Sequence, residues 1–403
     1  MKKLLVIVFM IGFIVACGDK NAHTTMTIQD IKADLPIVFI NTEKEKDITS
    51  RTIYQRAILK FENDSSVFED TVFIKGRGNS SWRKPKKSYR LKLKRKAALL
   101  NYDKDKSWVL ISNYKDKTML RNHIAFYMSS ISNLEYTPKS QFVELVLNNQ
   151  YYGTYQLCER IKIDKHRINI SKDGYLLEID GKAKKGETTF RVEHLRHPVN
   201  IKEPSYISNN KLKYIIDYFR ELDHILYTPE NQTTFEQWEK YLDVDSFVDW
   251  YLINEIAKNV DANFHTSCFM YLEPGGKLKM GPIWDFDRAF GNNPRKDLDK
   301  PNGFHVRRNT WFDQLFHSPI FVAKIKERFN YFYNHKADIM LEINTQANQL
   351  NKAICNNEKK WHILYTDEMP DDTTLKQYNK EVKWMKKWLD KRFEWLRAEF
   401  NKL

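Results

Sequence analysis

Strand-like and helix-like patterns occupy different parts of this chain, and this separation is the strongest constraint on its fold. Short runs rich in β-branched and aromatic residues, divided by polar turns, predict strands at 37–40, 57–61, 71–75, 89–93 and 108–111. A helical pattern then starts at Asp116, and a β-hairpin with Asn148 and Asn149 at its turn follows it. The first part of the chain is therefore expected to be mainly β.

The remainder of the chain mostly shows the spacing of amphipathic helices. We expect helices from Ile215 to Leu226, from Asp243 onward, from Phe321 to Phe332 and from Lys380 to Phe400. Two strand patterns, at 175–179 and 268–272, interrupt this half. Together the patterns predict an α+β fold with a β-rich first part and a mainly helical second part.

The composition is that of a large folded body with a cationic surface. The 403 residues are 42% hydrophobic and 14% aromatic, which is enough to fill one large core or two lobes. The formal net charge is +14, and part of the basic excess lies between Lys84 and Lys96. Such a stretch could contact anionic lipid headgroups, an acidic polymer, nucleic acid or nucleotide phosphates. We expect no nucleic-acid partner, because the sequence has no recognisable nucleic-acid-binding motif and begins with an export signal.

That export signal occupies the amino terminus. Two lysines precede an apolar run from Leu4 to Val15, which is too short for an ordinary membrane span. The residues that follow, Ala16 and Cys17, complete a sequence that resembles a bacterial lipobox. We therefore expect a signal peptide at 1–16, a lipid on Cys17 and a tether over 17–35, so that the protein is anchored to a bacterial membrane in the extracytoplasmic cell envelope.

Three aspartates around a predicted hairpin are the first candidate site. A polar loop that contains Asp261 leads into the strand pattern at 268–272, and a Pro-Gly-Gly turn then leads back to Asp285 and Asp287. The hairpin should bring Asp261 toward Asp285. Such carboxylates suit a site in which one orients or deprotonates a nucleophile and another holds a divalent metal on phosphates. The plainer alternative is that Asp285 and Asp287 are surface residues at a hairpin end, with Asp287 only capping the next loop.

A glycine loop followed by a basic strand is the second candidate region. The loop from Gly76 to Trp82 permits close backbone approach, and its amides could face an anion. The strand after it is apolar on one face and cationic on the other, as expected beside nucleotide phosphates. A plain turn and a solvated edge strand are the alternatives. The candidate phosphate contacts are Arg77, Asn79, Ser80, Lys87, Arg90 and Lys92, with Lys92 as the first choice.

Several segments, taken in order along the chain, form the pattern of one known family. They are Arg77-Gly78-Asn79-Ser80-Ser81, Lys86 to Leu91, Leu120-Arg121-Asn122, Asn149 to Tyr155 with Glu159, Trp284-Asp285-Phe286-Asp287 with Phe290-Gly291, and Tyr378 to Arg397. In these segments the chain resembles the CotH kinase family, the spore-coat protein H type of atypical protein kinases. The resemblance spans most of the chain, from about Ile37 to Arg397.

This resemblance implies a fold, a reaction and residue roles. The fold would be a divergent two-lobed protein-kinase fold, with an N-lobe at about 36–160 and a C-lobe at about 161–400. The reaction would be phosphoryl transfer from ATP, with Mg²⁺ or Mn²⁺, to serine or similar hydroxyls. By position, Asp261 resembles the catalytic aspartate and Asp285 the metal-binding one, and Asp287 is added as a second metal ligand.

The chain departs from the family pattern at two points. Near His265 many members have an asparagine that can bind a second metal, whereas this chain has Thr266 and Ser267, whose hydroxyls are weaker ligands for a hard cation. The predicted helix that starts at 116 also lacks a glutamate that could pair with a strand lysine. Glu144 and Glu159 are the available substitutes, and Glu159 is counted among the nucleotide-binding candidates.

Three functions remain open at this point. The leading one is a membrane-anchored, kinase-like phosphotransferase that acts on a protein. The second is a catalytically idle kinase fold that assembles or binds a partner at the envelope, which the scarcity of ATP outside the cytoplasm favours. The third is a kinase of a sugar or other small hydroxyl compound. Nucleotide and metal binding separate the first and third from the second, and the acceptor separates the first from the third.

Overall fold

The computed structural model describes residue 31 and residues 35–63, 66–99, 102–229, 235–293, 297–364 and 370–403. The predicted signal peptide, Cys17 and most of the predicted tether lie outside these described residues. Among the helices that are described, none is both long enough and apolar enough to cross a membrane.

The first part of the chain forms a barrel. Its strands are β1 (Ile37–Thr42), β2 (Gln55–Asn63), β3 (Ser66–Arg77), β4 (Ser88–Ala97), β5 (Asp105–Ile111), β6 (Ser140–Leu147) and β7 (Gln150–Glu159). The alternation predicted for β4 is present, since Leu91 and Leu93 are buried in the barrel core whereas Lys92 and Lys94 are exposed. The β-rich first part is thus confirmed.

Closure of this barrel is a finding that the sequence patterns did not predict. The strand order is β1-β2-β3-β4-β5-β7-β6, and β6 returns to β1. The pairs are antiparallel except for this last one, in which Ile37 to Ile40 run parallel to Glu144 to Leu147. A pairing between segments so distant in sequence leaves no local signal, because strand patterns report which face is buried and not which strands are neighbours.

One helix, α1 (Arg121–Ser130), lies between β5 and β6 in sequence. The apolar spacing had predicted that this helix starts at Asp116, but it begins at Arg121. The reason is that Met119 has a positive φ of 59°, which a right-handed helix excludes. Asp116 still stabilises the first turn, since its Oδ2 accepts a hydrogen bond from the backbone N of Arg121 at 2.8 Å.

The second part begins with a smaller sheet. Its strands are β8 (Tyr175–Ile179), β9 (Thr189–Phe190), β10 (Val199–Glu203), β11 (Cys268–Leu272) and β12 (Lys279–Met280), in the order β12-β11-β8-β10-β9. The predicted hairpin is the antiparallel pair β11 and β12, in which Met270 is opposite Met280. The sheet therefore joins the hairpin to β8, an earlier strand.

Helices make up most of the second part. They are α2 (Asn209–Tyr227), α3 (Phe235–Glu239), α4 (Val244–Ala257), α5 (Thr310–Leu315), α6 (Pro319–Asn334), α7 (Lys336–Trp361) and α8 (Asp371–Phe400). The helix expected from Asp243 onward is α4, and Asp243 caps its start by accepting a hydrogen bond from the N of Ser246. The predicted second part, mainly helical, is confirmed.

Helix α7 connects the helical part to the barrel. Asn357 on α7 accepts hydrogen bonds at its Oδ1 from the Nζ of Lys86 at 2.8 Å and from the N of Thr154 on β7 at 3.2 Å. Lys86 is fully buried, and its ammonium also lies 4.7 Å from the centre of the Tyr155 ring. The closing helix α8 packs beside α7 and begins at Asp371, earlier than the predicted Lys380.

Candidate active site

A cavity of about 650 Å³ lies between the barrel and the five-stranded sheet. The barrel contributes β3, β4 and the loop between them, which supply Lys75, Arg77 and Arg90. The sheet contributes β8 and β11, and the loops around them supply Lys182 and Asp261. The volume is in the range of about 300–1,000 Å³ that small-molecule and cofactor sites occupy.

Asp285 and Asp287 line this cavity from the segment that follows β12. Between them, Phe286 is fully buried, and its N donates a hydrogen bond to Asn122 Oδ1 at 2.7 Å. Asp285 itself has a left-handed backbone, with a φ of 67°. Because Phe286 is directed into the core, the two aspartates on either side of it are presented to the cavity.

We name residues 284–292 the carboxylate segment, and buried side chains from outside it hold it at several points. Arg121 Nε donates to the carbonyl of Ala289 at 3.1 Å, while the Arg121 guanidinium pairs with the buried Asp116. Within the segment, Asn292 donates through Nδ2 to the carbonyls of Asp287 at 2.6 Å and of Lys115 at 2.8 Å. The position of the two aspartates is thus fixed by the start of α1.

Asp261 reaches the cavity from the end of α4. That helix stops at Lys258, whose φ of 48° is left-handed, and Asp261 lies in the short 3₁₀ turn Val260–Ala262 that follows. The side chain of Asp261 is 14% exposed, with its Oδ2 3.9 Å from the Nζ of Lys182 and its Oδ1 3.3 Å from Nδ1 of His265. The catalytic candidate is therefore accessible but partly enclosed.

The three aspartates are close enough to influence one another. Burial raises the pKa of Asp285, and the negative charge of Asp261 raises it further, against the opposing effect of Arg77. Burial and then the charge of Asp285 raise the pKa of Asp287 to about 7. This concentration of negative charge would be relieved by a cation.

The residues present fit a divalent cation only if it is shared with a ligand. Among the described residues, no three His, Cys, Asp or Glu side chains form a group that could hold a metal by themselves. Asp285 and Asp287 supply hard carboxylate oxygens, and Mg²⁺ is commonly held by one or two carboxylates together with water and substrate phosphates. The donor set therefore suits a metal that arrives with, or is completed by, a phosphate ligand.

The opposite wall of the cavity is the loop between β3 and β4. Arg77 lies with its guanidinium carbon 5.3 Å from the centre of the Trp284 ring, beside the carboxylate segment. Lys115 Nζ donates to Ser80 Oγ at 3.2 Å, and Arg51 donates to Asn79 Oδ1 at 3.3 Å. Gly76 has no room for a side chain, because a Cβ there would be 2.1 Å from the Trp82 ring.

A family model described as CotH kinase protein matches residues 74–396, and this span contains every cavity-lining residue except Arg51 and Thr52. The chain belongs to the CotH kinase family. No curated protein matches it.

Seven of the predicted site residues of this CotH chain meet in the cavity. They are Arg77, Asn79, Ser80, Arg90, Asp261, Asp285 and Asp287. Lys87 and Lys92 do not line it: Lys87 donates to the carbonyl of Trp82 at 2.7 Å, and Lys92 is exposed on β4. Lys92, the first choice for a phosphate contact, thus lies outside the cavity, whereas Arg90 on the same face of β4 lines it.

The two predicted partner glutamates are also outside the cavity. Glu159 is buried and accepts hydrogen bonds from the hydroxyl of Tyr136 at 3.0 Å and the N of Lys139 at 3.1 Å. Burial raises the pKa of Glu144 to about 7 and lowers that of nearby Lys86 to about 7. The buried side chains of Glu144 and Lys86 face α7, and Glu159 is bonded to Tyr136 and Lys139. Neither glutamate lines the CotH cavity.

Sequence reasoning missed two cavity carboxylates, Glu178 on β8 and Asp180 directly after it. Burial raises the pKa of Glu178 to about 7; its Oε1 accepts a hydrogen bond from the N of Ser267 at 3.0 Å, and its Oε2 lies 3.2 Å from the Nζ of Lys202. Asp180 Oδ1 accepts a hydrogen bond from Thr266 Oγ1 at 3.0 Å. The available signal was a pair of acids at the end of an apolar strand, directly before an exposed lysine-rich turn. In this chain Thr266 therefore orients Asp180.

Proposed function

We propose that this CotH chain is an ATP- and metal-dependent phosphotransferase with a kinase-like arrangement of two lobes. The barrel side, about 36–160, would be the N-lobe, and the sheet with its helices, about 161–400, the C-lobe. The observation that carries the proposal is the convergence of Asp261, Asp285 and Asp287 in one cavity, opposite a cationic glycine loop. Phosphoryl transfer depends on positioning and on neutralising charge, and this arrangement supplies both.

The three aspartates divide into two roles in this proposal. Asp285 and Asp287 would hold Mg²⁺ or Mn²⁺, which when bound neutralises charge on the phosphates of ATP. Arg77 would lie beside the same phosphates, and the loop residues Asn79 and Ser80 would cover them. Asp261 is assigned the base function because it reaches the cavity from a different segment than Asp285 and Asp287. Its neighbours there are Lys182 and His265.

Asp261 would orient the acceptor hydroxyl and accept its proton. The acceptor oxygen forms a bond to the γ-phosphorus, the bond from that phosphorus to the bridging oxygen breaks, and ADP leaves. The acceptor would be a serine of a protein or a similar hydroxyl, reached through the open side of the cavity. The proposal includes a lipid on Cys17, an extracytoplasmic position at the cell envelope, and no nucleic-acid partner.

Paired variants of the full chain test these roles. Asp285→Asn should abolish metal-dependent ATP binding measured by calorimetry, because it removes a metal ligand while the segment that carries it is held by α1. Asp261→Ala should keep ATP binding but lower transfer from radiolabelled ATP by about 10²-fold or more. Both variants should unfold at denaturant concentrations close to that of the parent.

The outcome also separates the alternative functions. ATP binding without transfer to any protein, peptide or sugar, with either metal, would support an idle scaffold and reject the phosphotransferase proposal. Transfer to sugars and not to proteins would redirect it to a small-molecule kinase. Transfer that persists in Asp261→Ala would reject the base assignment.

A further inference from the structure

The cavity has a second charged end, which the phosphotransferase proposal does not use. Pairing of β3 with β4 places Lys75 directly opposite Arg90, and both side chains line the cavity. Arg160, which follows β7, lines the same end. The neighbours in register, Ile74 and Leu91, are fully buried in the barrel core, so the strand alternation directs the cations outward into the cavity.

Glu203 is the counter-charge nearest these cations, and it attracts Arg160 and, less strongly, Arg90. Within the described residues, the ion pairs include none to Lys75 or Arg90, and Arg160 has a single carboxylate contact, with its NH1 3.8 Å from Glu203 Oε1. The Lys75 ammonium lies 4.6 Å from the centre of the Tyr54 ring. All three side chains are half-buried, so water screens their mutual repulsion less than it would at an open surface.

The arrangement therefore has an electrostatic cost in the free protein. Like charges directly opposite each other on neighbouring strands are destabilising. Burial lowers the pKa of Lys75 and lowers the pKa of Arg160 to about 10. The positive charge of Arg90 is the second-largest cause for both groups. An anion at this end would relieve the repulsion, and two guanidinium groups are well suited to bind a phosphate through paired hydrogen bonds.

We propose that Lys75, Arg90 and Arg160 form a phosphate-binding subsite that needs no metal, separate from the carboxylates at the other end of the cavity. It shares the cavity with the proposed phosphotransferase reaction but does not depend on that reaction. Apolar side chains of Val109, Ile161 and Phe269 line the cavity too, and Val109 is paired with Arg90 in the strand register. The bound phosphate would thus belong to a ligand with an apolar or aromatic portion.

Calorimetry of the full chain with inorganic tripolyphosphate, in the presence of EDTA, tests the subsite. The parent should bind without metal, and Arg90→Gln and Arg160→Gln should each weaken binding by about tenfold, the effect of losing a charged hydrogen bond. Lys92→Gln is the matched control, since it removes the same charge from the same strand face outside the cavity and should change affinity by less than about twofold.

The result separates this proposal from the previous one. Asp285→Asn should leave metal-free tripolyphosphate binding intact, so a chain that binds tripolyphosphate but transfers nothing keeps the subsite and loses the phosphotransferase. Displacement of tripolyphosphate by ATP with Mg²⁺ would assign the phosphate to the donor, and simultaneous binding would assign it to the acceptor. No binding by the folded parent, or equal losses in Arg90→Gln and Lys92→Gln, would overturn the subsite.

Discussion

Two walls of the cavity are built in contrasting ways. The carboxylate segment, 284–292, is held by Arg121 and Asn122, whose side chains are buried in the start of α1. The lysine-rich turn between β8 and β9, residues 181–186, is mostly exposed, and its backbone hydrogen bonds go mainly to the flanking Asp180 and Glu187, with Gly181 N also donating to the carbonyl of His265 at 2.7 Å. The proposed metal ligands on the carboxylate segment would need such a fixed geometry, because metal coordination depends on precise placement of the ligand atoms.

Removing the buried cation behind the carboxylate segment should produce the largest effect. In Arg121→Met, Asp116 would lose its ion-pair partner while remaining fully buried, and Ala289 would lose a hydrogen bond. We expect a loss of about 3–5 kcal/mol in the free energy of unfolding, measured with chemical denaturant.

Lys117→Met is the control for this variant. It breaks an ion pair with Glu381 close to the same turn, but the lysine side chain is 44% exposed, so the expected loss is below about 1 kcal/mol. Equal losses in the two variants would mean that the carboxylate segment is not held by its buried contacts.

The pH dependence of metal-dependent ATP binding should report the protonation of Asp287 in the carboxylate segment. Since the pKa of Asp287 is raised to about 7 and a metal ligand must be deprotonated, metal-dependent ATP affinity should fall about tenfold per pH unit below about pH 7. Without metal, the folded state keeps a proton that the unfolded chain releases, so the free energy of unfolding should decrease as pH rises from about 4 to about 7.

Asp287→Asn tests both slopes in calorimetry and denaturation across this range. It should make the decrease in stability less steep without abolishing it, because the pKa values of Glu144 and Glu178 are also raised to about 7, and it should remove the steep part of the affinity profile. Glu187→Gln, at the exposed rim, should leave both profiles as in the parent. A parental affinity that is constant from about pH 5 to about pH 8 would contradict the assignment of Asp287.

The smallest effects are expected at the lysine-rich turn. Lys182→Ala removes a 37% exposed cation whose Nζ is 3.9 Å from Asp261, so stability should change by less than about 0.5 kcal/mol. Metal-dependent ATP affinity should change by less than about threefold, because the proposed metal ligands Asp285 and Asp287 lie on the carboxylate segment and not on this turn. A loss of ATP affinity in Lys182→Ala as large as that in Asp285→Asn would contradict this contrast, because the lysine-rich turn would then matter for nucleotide binding as much as the carboxylate segment.

Local patterns predicted the elements well, because short runs of β-branched and aromatic residues bounded by polar turns are a local signal for each strand and hairpin. Strand β11 occupies Cys268–Leu272, as its short apolar run indicated, and the turn at Asn148 and Asn149 has the positive φ values that these residues tolerate. Helix α7 was not predicted as a unit, since its buried residues include Asn356, Asn357 and Glu358 and so break the apolar stripe.

The composition of the cavity depended on packing that no local pattern carries. Arg90 and Lys92 lie on the same cationic face of β4, and only the position of the smaller sheet decides that Arg90 lines the cavity while Lys92 is exposed. Similarly, Arg121 and Asn122 lie off the apolar stripe of α1, where polar residues usually face solvent, yet they are buried because the carboxylate segment covers them.

The parallel contact between β1 and β6 also affects how the chain must be synthesised and assembled. Until the ribosome has released residues through Leu147, β1 can pair with β2 but not with β6. The unpaired amide and carbonyl groups on its other side could then hydrogen-bond to a strand of another chain. Joining such distant segments also requires a slow search over a long intervening chain. A nascent or truncated chain that ends before β6 should therefore be prone to aggregation, whereas the finished barrel has no open edge to offer.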